Sequence, residues 1–330
     1  MASESSKVSI YAAMAANIAI GIAKFIGAAV SGSSAMLSEG IHSVVDSTNE
    51  VLLLYGLKQS EAGPDEQYPL GHGQELYFWS LMVAVLIFAL GGGVSIYEGI
   101  LSIQHPEPSG RALVSYVVLG VAAIFEGSAL LISIREFRKH QPQPDIGLWK
   151  AIRLSKDPSS FIVIVEDAAA LVGLAVAFIG VFLSEWRGNT TYDAIASIVI
   201  GVILTVVATV LVAKTKGLLV GQSAFPETRD SIKAIVQSDE AVSALEPPIT
   251  FHLGPKDIML ALNIEFKDEL SSDQIEAAIR RLEEKIRHSH AEVKRIFIEA
   301  ASVTSSPANS VTEDGEPAPP SPANLEIQET

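Results

Sequence analysis

The chain contains no cysteine among its 330 residues, which excludes disulfide bonds and thiolate metal sites. Histidine, aspartate and glutamate are therefore its strong metal ligands. Charged residues are also scarce at 18%, whereas an ordinary soluble domain carries roughly 25%. Positive charge is the scarcer sign, and the net charge of −15 argues against nucleic acid as a partner.

Long apolar runs occupy the first two thirds of the sequence, and a membrane-spanning helix needs roughly 20 such residues. Six segments meet this length in whole or in part, at residues 9–30, 35–57, 77–101, 113–134, 161–183 and 194–213. The sequence therefore predicts an all-α domain of six transmembrane helices in a lipid bilayer, over residues 1–216.

Basic residues are concentrated in the connections on one side of these predicted spans. The connection between the fourth and fifth segments carries six of them, namely Arg135, Arg138, Lys139, Lys150, Arg153 and Lys156. Lysine and arginine favour the cytoplasmic side, so both termini are expected there. The start "MASESSKVSI" lacks the layout of a signal peptide, and no transit signal is evident, which favours the inner (cell) membrane of a prokaryote.

The hydrophobic character changes after Gly217. The pattern over residues 217–302 indicates a helix in "AFPETRDSIKAIVQSDEAVSAL", strands in "ITFHLG" and "IMLALNIEF", a helix in "SSDQIEAAIRRLEEKIRHSH" and a strand in "VKRIFIEAA". This αββαβ order predicts a small cytoplasmic α+β domain of ferredoxin-like type. Residues 303–330 are rich in proline and acidic residues without Lys or Arg, which predicts a disordered tail.

Three ionisable residues interrupt the second apolar segment. Glu39, His42 and Asp46 would point the same way from one helix. His42 and Asp46 lie one turn apart, so an imidazole nitrogen and a carboxylate oxygen can approach one divalent cation. The alternative is a His–Asp hydrogen bond inside a helix bundle. The membrane setting favours the metal interpretation, because charged groups at lipid depth are costly.

The fifth segment contains two adjacent carboxylates, Glu166 and Asp167, in "VEDAAALVG". Neighbouring residues of a helix point about 100° apart, so only one of the two naturally faces a given partner. Asp167 is favoured as the ligand. Glu166 remains a candidate second ligand, a proton carrier, or a side chain that extends to the membrane surface.

Other polar residues in the apolar segments allow more than one interpretation. Glu126 is a candidate proton relay, although accepting a hydrogen bond from a neighbouring span is the commoner role. Asn17 and Asn49 are candidates for hydrogen bonds across helices. His72 lies in the glycine-flanked loop before the third segment, where a structural role is commoner than a ligand role.

Taken together, several motifs resemble those of the cation diffusion facilitator family of divalent-metal transporters. "SAMLSEGIHSVVDSTN" resembles its second-span motif with the HxxxD metal pair, and "YPLGHGQELYFWSL" resembles the loop leading into its third span. "YDAIASIVIGVIL" is similar to the sixth span and "LLVGQSA" to the entry of the cytoplasmic domain. The resemblance implies a homodimer, a tetrahedral site between spans two and five, and export of a divalent metal, zinc in the first place, from the cytosol by exchange with protons.

This chain departs from the family pattern in the fifth span. The family's second HxxxD pair corresponds here to Val163 and Asp167, so its histidine is missing. "VEDAAALVG" is instead similar to the branch typified by the ninth animal zinc transporter. The fourth ligand is left open between Glu166, Glu39 and water. A site richer in oxygen also admits manganese, iron or cobalt, and no organic cofactor is expected.

The resemblance also bears on the remaining histidines. Many family members bind regulatory metal in the cytoplasmic domain, where Asn263 and Glu299 take the matching positions here, although His252, His288 and His290 lie nearby. We therefore expect a domain that mainly dimerises, with weak or absent metal sensing. The loop around His72 corresponds to a place where some members bind a third metal.

Two other functions compete with transport. A transport-inactive membrane scaffold or accessory subunit would explain the lost fifth-span histidine, although it would not explain ionisable residues kept at lipid depth. A metal-dependent membrane enzyme would need a nucleophile with a base beside it, and the spans contain no such pair.

Overall fold

The computed structural model describes residues 4–106, 112–139 and 146–301, with side chains from residue 17 onward. The predicted tail at 303–330 lies outside the described residues. Two compact units are distinguished. The first comprises residues up to 222 together with 252–257, and the second comprises 223–251 and the residues from 258 onward.

Within the described ranges, the first unit contains six long helical stretches and one short helix. In chain order they are α1 (Glu4–Ser31), α2 (Ser34–Ser60), α3 (Glu75–Leu86) continued by a π-helical segment (Ile87–Gly93) into α4 (Val94–Gln104), α5 (Ala112–Lys139), α6 (Leu148–Leu154), α7 (Pro158–Arg187) and α8 (Thr191–Val220). The long stretches coincide with the six predicted segments.

Four of these stretches are long and apolar enough to cross a membrane. They are Glu75–Gln104, Ala112–Lys139, Pro158–Arg187 and Thr191–Val220. The part of α1 whose side chains are described, Asn17–Ser31, is a shorter apolar helix. Helix α2 is less apolar because its ionisable stripe interrupts the run. By length and composition, four of the described helical stretches can therefore cross a membrane, and the total of six transmembrane helices stays a prediction.

Large apolar side chains cover the outside of the helix bundle as well as filling its core. Outward-facing side chains include Ile124, Ile132 and Val206, each more than half exposed. An apolar outer surface of this kind suits a lipid environment, where only backbone groups satisfied within helices are tolerated.

A glycine seam joins the π-helical segment to α8. A Cβ on Gly201 would lie 2.7 Å from the carbonyl oxygen of Gly92 and 2.8 Å from the backbone nitrogen of Ile96. No larger residue fits these positions without moving backbone, so glycine here permits direct backbone-to-backbone packing.

Asp193 fixes the start of α2 against α8. Its carboxylate accepts hydrogen bonds from Ser33 Oγ at 2.7 Å, Ser34 Oγ at 3.2 Å and the Ala35 backbone N–H at 3.3 Å. Ser33 in turn caps α2 by accepting from the Met36 N–H. The helix that carries the ionisable stripe is therefore held at its first turn.

The C-terminal part of the chain forms helices against a mixed sheet. Its elements are α9 (Pro226–Gln237), β1 (Val242–Leu245), β2 (Ile249–Gly254), β3 (Asp257–Phe266), α10 (Ser272–Ser289) and β4 (Val293–Ala300). Strand β3 is central, with β1 antiparallel to it, β4 parallel to it and β2 as a further neighbour. The ferredoxin-like classification remains a prediction.

The prediction of one helix through "AVSAL" was wrong, because α9 ends at Gln237 and Val242–Leu245 forms strand β1. Just after α9, the side chain of Asp239 accepts hydrogen bonds from the Ala241 N–H and from Arg281 of α10, and these bonds turn the backbone out of the helix. The following strand β1 pairs with β3, so the order of elements in this part of the chain is αβββαβ.

Alternating burial along β3 builds the core of this part of the chain. Every second residue is buried, namely Ile258, Leu260, Leu262, Ile264 and Phe266. These residues form one cluster with buried side chains of α9 and α10, including Ile232, Val236, Ala278, Leu282 and Ile286. Burial of a large apolar side chain contributes about 1.5–3 kcal/mol, so this face holds the two helices on the sheet.

Candidate metal site in the helix bundle

His42 and Asp46 lie together on α2 in the interior of the bundle. His42 Nε2 is 3.4 Å from Asp46 Oδ2, and His42 is 1% exposed. Both ring nitrogens of His42 and Asp46 Oδ1 are buried without a hydrogen-bond partner. Unpartnered buried polar atoms are costly, so a site that binds a cation or proton is a better explanation than a saturated structural hydrogen bond.

The two fifth-span carboxylates face different helices. Glu166 is 7% exposed, and its Oε1 accepts a hydrogen bond from Asn49 Nδ2 of α2 at 2.6 Å. Asp167 Oδ2 accepts from Ser133 Oγ of α5 at 3.1 Å. The rotation of about 100° between adjacent helical residues explains the split. Glu166 is thus the carboxylate that contacts α2, one turn along from Asp46.

The described residues contain no group of three or more His, Asp or Glu side chains close enough to hold one metal ion. His42 and Asp46 are brought together, whereas Asp167 is engaged with Ser133 on another helix. The ligand set expected from the sequence therefore stays a prediction.

Lys24 of α1 is a charged residue that the sequence analysis missed. It is fully buried, with Nζ 3.2 Å from Glu39 Oε2 of α2 and 3.5 Å from Glu126 Oε1 of α5. It also donates a hydrogen bond to Ser43 Oγ at 2.8 Å. A lone lysine in an apolar run was the available signal, but sequence spacing does not reveal which carboxylates meet it.

Glu39, a candidate fourth ligand from the sequence, is therefore already paired with an ammonium group. Its second oxygen, Oε1, is buried without a hydrogen-bond partner. That oxygen faces α7, where a Cβ on Gly173 would lie 2.5 Å from it. The glycine lets the carboxylate approach α7 closely.

Glu50 extends the ionisable stripe one turn beyond Asp46 and was also missed. Its Oε1 accepts a hydrogen bond from Asn17 Nδ2 of α1 at 2.8 Å, and its Oε2 is buried without a partner. Asn17 and Asn49 thus both bond across helices, as one sequence interpretation expected. Four ionisable residues, Glu39, His42, Asp46 and Glu50, follow one side of α2.

His72 is held within its own loop. Its Nε2 lies 2.9 Å from Asp65 Oδ2, and its ring centroid lies 4.5 Å from that of Tyr68, with the two ring planes tilted by 51°. The His72 hydrogen bond and the backbone N–H of Tyr68 lower the pKa of the Asp65 carboxyl below its ordinary value. These contacts account for His72 as a loop-ordering residue.

The C-terminal histidines are engaged in local contacts. His252 Nδ1 lies 3.3 Å from the Gly254 carbonyl oxygen. His290 lies 2.9 Å from Ser231 Oγ through Nε2 and 3.6 Å from Glu292 Oε1 through Nδ1. Asn263 and Glu299 are paired across strands β3 and β4.

Comparison with known families agrees with the helix-bundle part of the fold. The family described as the cation efflux transmembrane domain matches residues 10–220. This range covers α2 and α7, which carry the candidate site.

Known relatives are named for zinc, metal tolerance and manganese. The "Proton-coupled zinc antiporter SLC30A9, mitochondrial" of Xenopus laevis is 32% identical over 243 residues, covering 74% of this chain and 44% of the relative. The "Metal tolerance protein C4" of Arabidopsis thaliana is 32% identical, covering 73% of this chain and 52% of the relative. The "Manganese efflux system protein MneP" of Bacillus subtilis is 25% identical, covering 90% and 97%. The chain thus spans about half the length of the first two.

Proposed function

The chain belongs to the cation efflux family, and from this premise we propose that it exports a divalent transition-metal cation from the cytosol in exchange for protons. The observation that carries the proposal is the His42–Asp46 pair. Three of its buried polar atoms have no hydrogen-bond partner, although they lie in the interior of a bundle with an apolar outer surface. Ionisable groups kept at such depth in a membrane usually mark an ion pathway.

We assign His42 and Asp46 of α2 and Glu166 and Asp167 of α7 as the ligands. Glu166 supplies the first α7 oxygen because it already contacts α2 through Asn49. Asp167 supplies the second after it leaves Ser133. Glu39 remains with Lys24 and is not required as a ligand.

One nitrogen and three carboxylates make an oxygen-rich donor set. Imidazole favours zinc, while carboxylates widen the range to manganese, iron and cobalt. The relatives named for zinc are also more similar to this chain than the one named for manganese. We therefore propose zinc as the principal cargo.

Exchange with protons follows from the chemistry of these ligands. A ligating histidine must be neutral and ligating carboxylates ionised, so loading the metal releases protons. Protons arriving from the far side then compete for the same atoms and expel the metal. Imidazole and carboxylate groups can each bind either a metal ion or a proton, which suits His42 and its carboxylate neighbours to this exchange.

The decisive experiment measures zinc uptake and proton flux in proteoliposomes. Asp46→Asn and His42→Ala are each expected to reduce flux by at least about 100-fold, since losing even an outer-shell partner costs 10–100-fold in metal affinity. Glu166→Gln should reduce flux more than Asp167→Asn, because Glu166 is hydrogen bonded to α2 whereas Asp167 is hydrogen bonded to α5. Glu61→Gln, an exposed carboxylate just beyond the end of α2, is the matched control and should retain flux.

Unchanged flux in Asp46→Asn would contradict the assignment of the metal site.

Binding competition among zinc, manganese, iron and cobalt on the purified protein would establish the cargo. A preference for manganese over zinc would contradict the proposal that zinc is the principal cargo.

A transport-inactive scaffold is the second candidate function. The observation in its favour is that no three ligands converge in the described residues. The same liposomes separate the two, since a scaffold shows no metal-dependent proton flux in the wild type.

We further propose that the protein functions as a homodimer in a cell membrane. Both termini would lie on the cytosolic side, because the connection between α5 and α7 concentrates the basic residues. The mass of the detergent-solubilised protein tests the dimer, and a monomer would exclude it.

A further inference from the structure

The ionic cluster around Lys24 joins three helices at the level of the candidate site. Its ammonium lies between Glu39 of α2 and Glu126 of α5 and bonds to Ser43 of α2. Lys24 and Glu39 are fully buried, and the side chain of Glu126 is 14% exposed. Because these charges are removed from water, their contacts must offset a large desolvation cost.

The cluster holds one positive charge and two carboxylates. Glu39 Oε1 remains buried without a hydrogen-bond partner, on the side that faces Gly173 of α7. A second carboxylate, Glu126, is shared with the same ammonium. Two carboxylates and a hydroxyl arranged around one cation provide the oxygen donors that hard divalent cations use in proteins.

The cluster is also next to the candidate metal site. Glu39 precedes His42 on α2 by three residues, which places it one turn nearer to the α1–α2 turn. Ser43, which accepts from Lys24, directly follows His42 in sequence. With both termini in the cytosol, that direction along α2 leads to the far side of the membrane.

We propose that Glu39 and Glu126 form a second cation subsite whose occupant is the ammonium of Lys24. The tethered cation fills the position next to His42 and thereby limits each protomer to one divalent ion. The proposal rests on the proposed transport function and adds a residue that determines how many ions the pathway holds.

A purely structural ion pair would show the same contacts, so the number of bound ions is the discriminating measurement. If Lys24 only stabilises the packing of the three helices, removing its charge lowers the stability of the fold and leaves the number of bound ions unchanged. If Lys24 occupies a cation subsite, removing its charge opens the subsite to a second ion.

The test is equilibrium dialysis of the purified full-length protein with radioactive Zn²⁺ and, separately, with Mn²⁺. Lys24→Met should bind about one ion per protomer more than the wild type, and Lys24→Met combined with Glu126→Gln should lose that additional ion. Lys24→Arg, which keeps the charge, should match the wild type. Lys58→Met removes an exposed lysine of the same helix as Glu39 and is the matched control.

Equal numbers of bound ions in Lys24→Met and the wild type would overturn the proposal. Lys24→Gln, whose amide can still hydrogen bond to Glu39 and Ser43, is measured in parallel and decides the question where Lys24→Met does not fold. If the wild type binds no divalent ion, the proposed function is contradicted. If the wild type binds one ion and Lys24→Met and Lys24→Gln also bind only one, the proposed function stands and only this inference is contradicted.

Discussion

The helix bundle and the C-terminal sheet each contain a buried ionic cluster, and the two clusters are built in opposite ways. In the bundle, Lys24 lies between two carboxylates, Glu39 and Glu126, with almost no exposure to solvent. In the C-terminal part, the buried Asp239 lies between two cations, Arg281 and Lys285, whose side chains are 39% and 49% exposed.

The difference concerns which partners remain hydrated. The guanidinium of Arg281 binds Asp239 through two hydrogen bonds of 2.8 and 2.6 Å and keeps part of its surface in water. This Arg281–Asp239 ion pair, hereafter the clamp, therefore has a low desolvation cost, and its contribution to the stability of the fold is a sufficient reason for its presence. Lys24 and its partners lose their hydration and leave an excess of negative charge, which is a poor way to stabilise a fold and a good way to attract cations.

The largest expected effect is on the bundle when Lys24 is replaced. Without added metal, Lys24→Met should lower the free energy of unfolding by about 3–5 kcal/mol, because two buried carboxylates lose their compensating charge. Thermal unfolding in detergent measures this, and zinc should restore part of the loss in the variant. A loss that zinc does not reduce would favour a purely structural pair.

The corresponding change in the C-terminal part should be smaller. Arg281→Ala should cost about 1–2 kcal/mol, since charge-assisted hydrogen bonds are lost but the partly exposed guanidinium is screened by solvent. Hydrogen exchange of α10 and β1 in the full-length protein measures the loss. Arg280→Ala is the matched control, because its exposed side chain only reaches Glu276 at 4.0 Å. Equal losses in both variants would show that the clamp contributes nothing.

The smallest effect is confined to acid pH. The hydrogen bonds from Arg281 lower the pKa of the Asp239 carboxyl to about 2. A lowered folded-state pKa gives stability that is fully present above the ordinary value near 3.9 and is lost as the pH falls from about 4 towards about 2. Hydrogen exchange of α10 should therefore accelerate over this window in the wild type and less in Asp239→Asn. Parallel curves for both would exclude Asp239 as the group responsible.

Much of the helix bundle could be predicted from sequence because its signal is local. Apolar runs of sufficient length mark the helices, and the spacing of His42 and Asp46 brings them together wherever that helix lies. The rotation of α7 is not local, so the sequence could not show that Glu166 contacts α2 while Asp167 contacts α5. Lys24 was missed for the same reason, since its partners lie on two other helices.

The error at β1 has a different origin. Residues 242–245 follow an amphipathic helix, and their apolar spacing continues its pattern. The side chain of Asp239 and its bonds to Arg281 and the Ala241 N–H turn the chain towards β3. Long-range contacts thus override the local periodicity.

The seam at Gly92 and Gly201 has a consequence for how such a bundle can change shape. Two helices whose backbones touch cannot slide along each other without opening a gap or driving one carbonyl into another. We therefore expect the third apolar stretch and α8 to move together as one rigid body. Any rocking that exposes the interior to alternate sides of the membrane has to occur elsewhere, at contacts between side chains that can exchange neighbours.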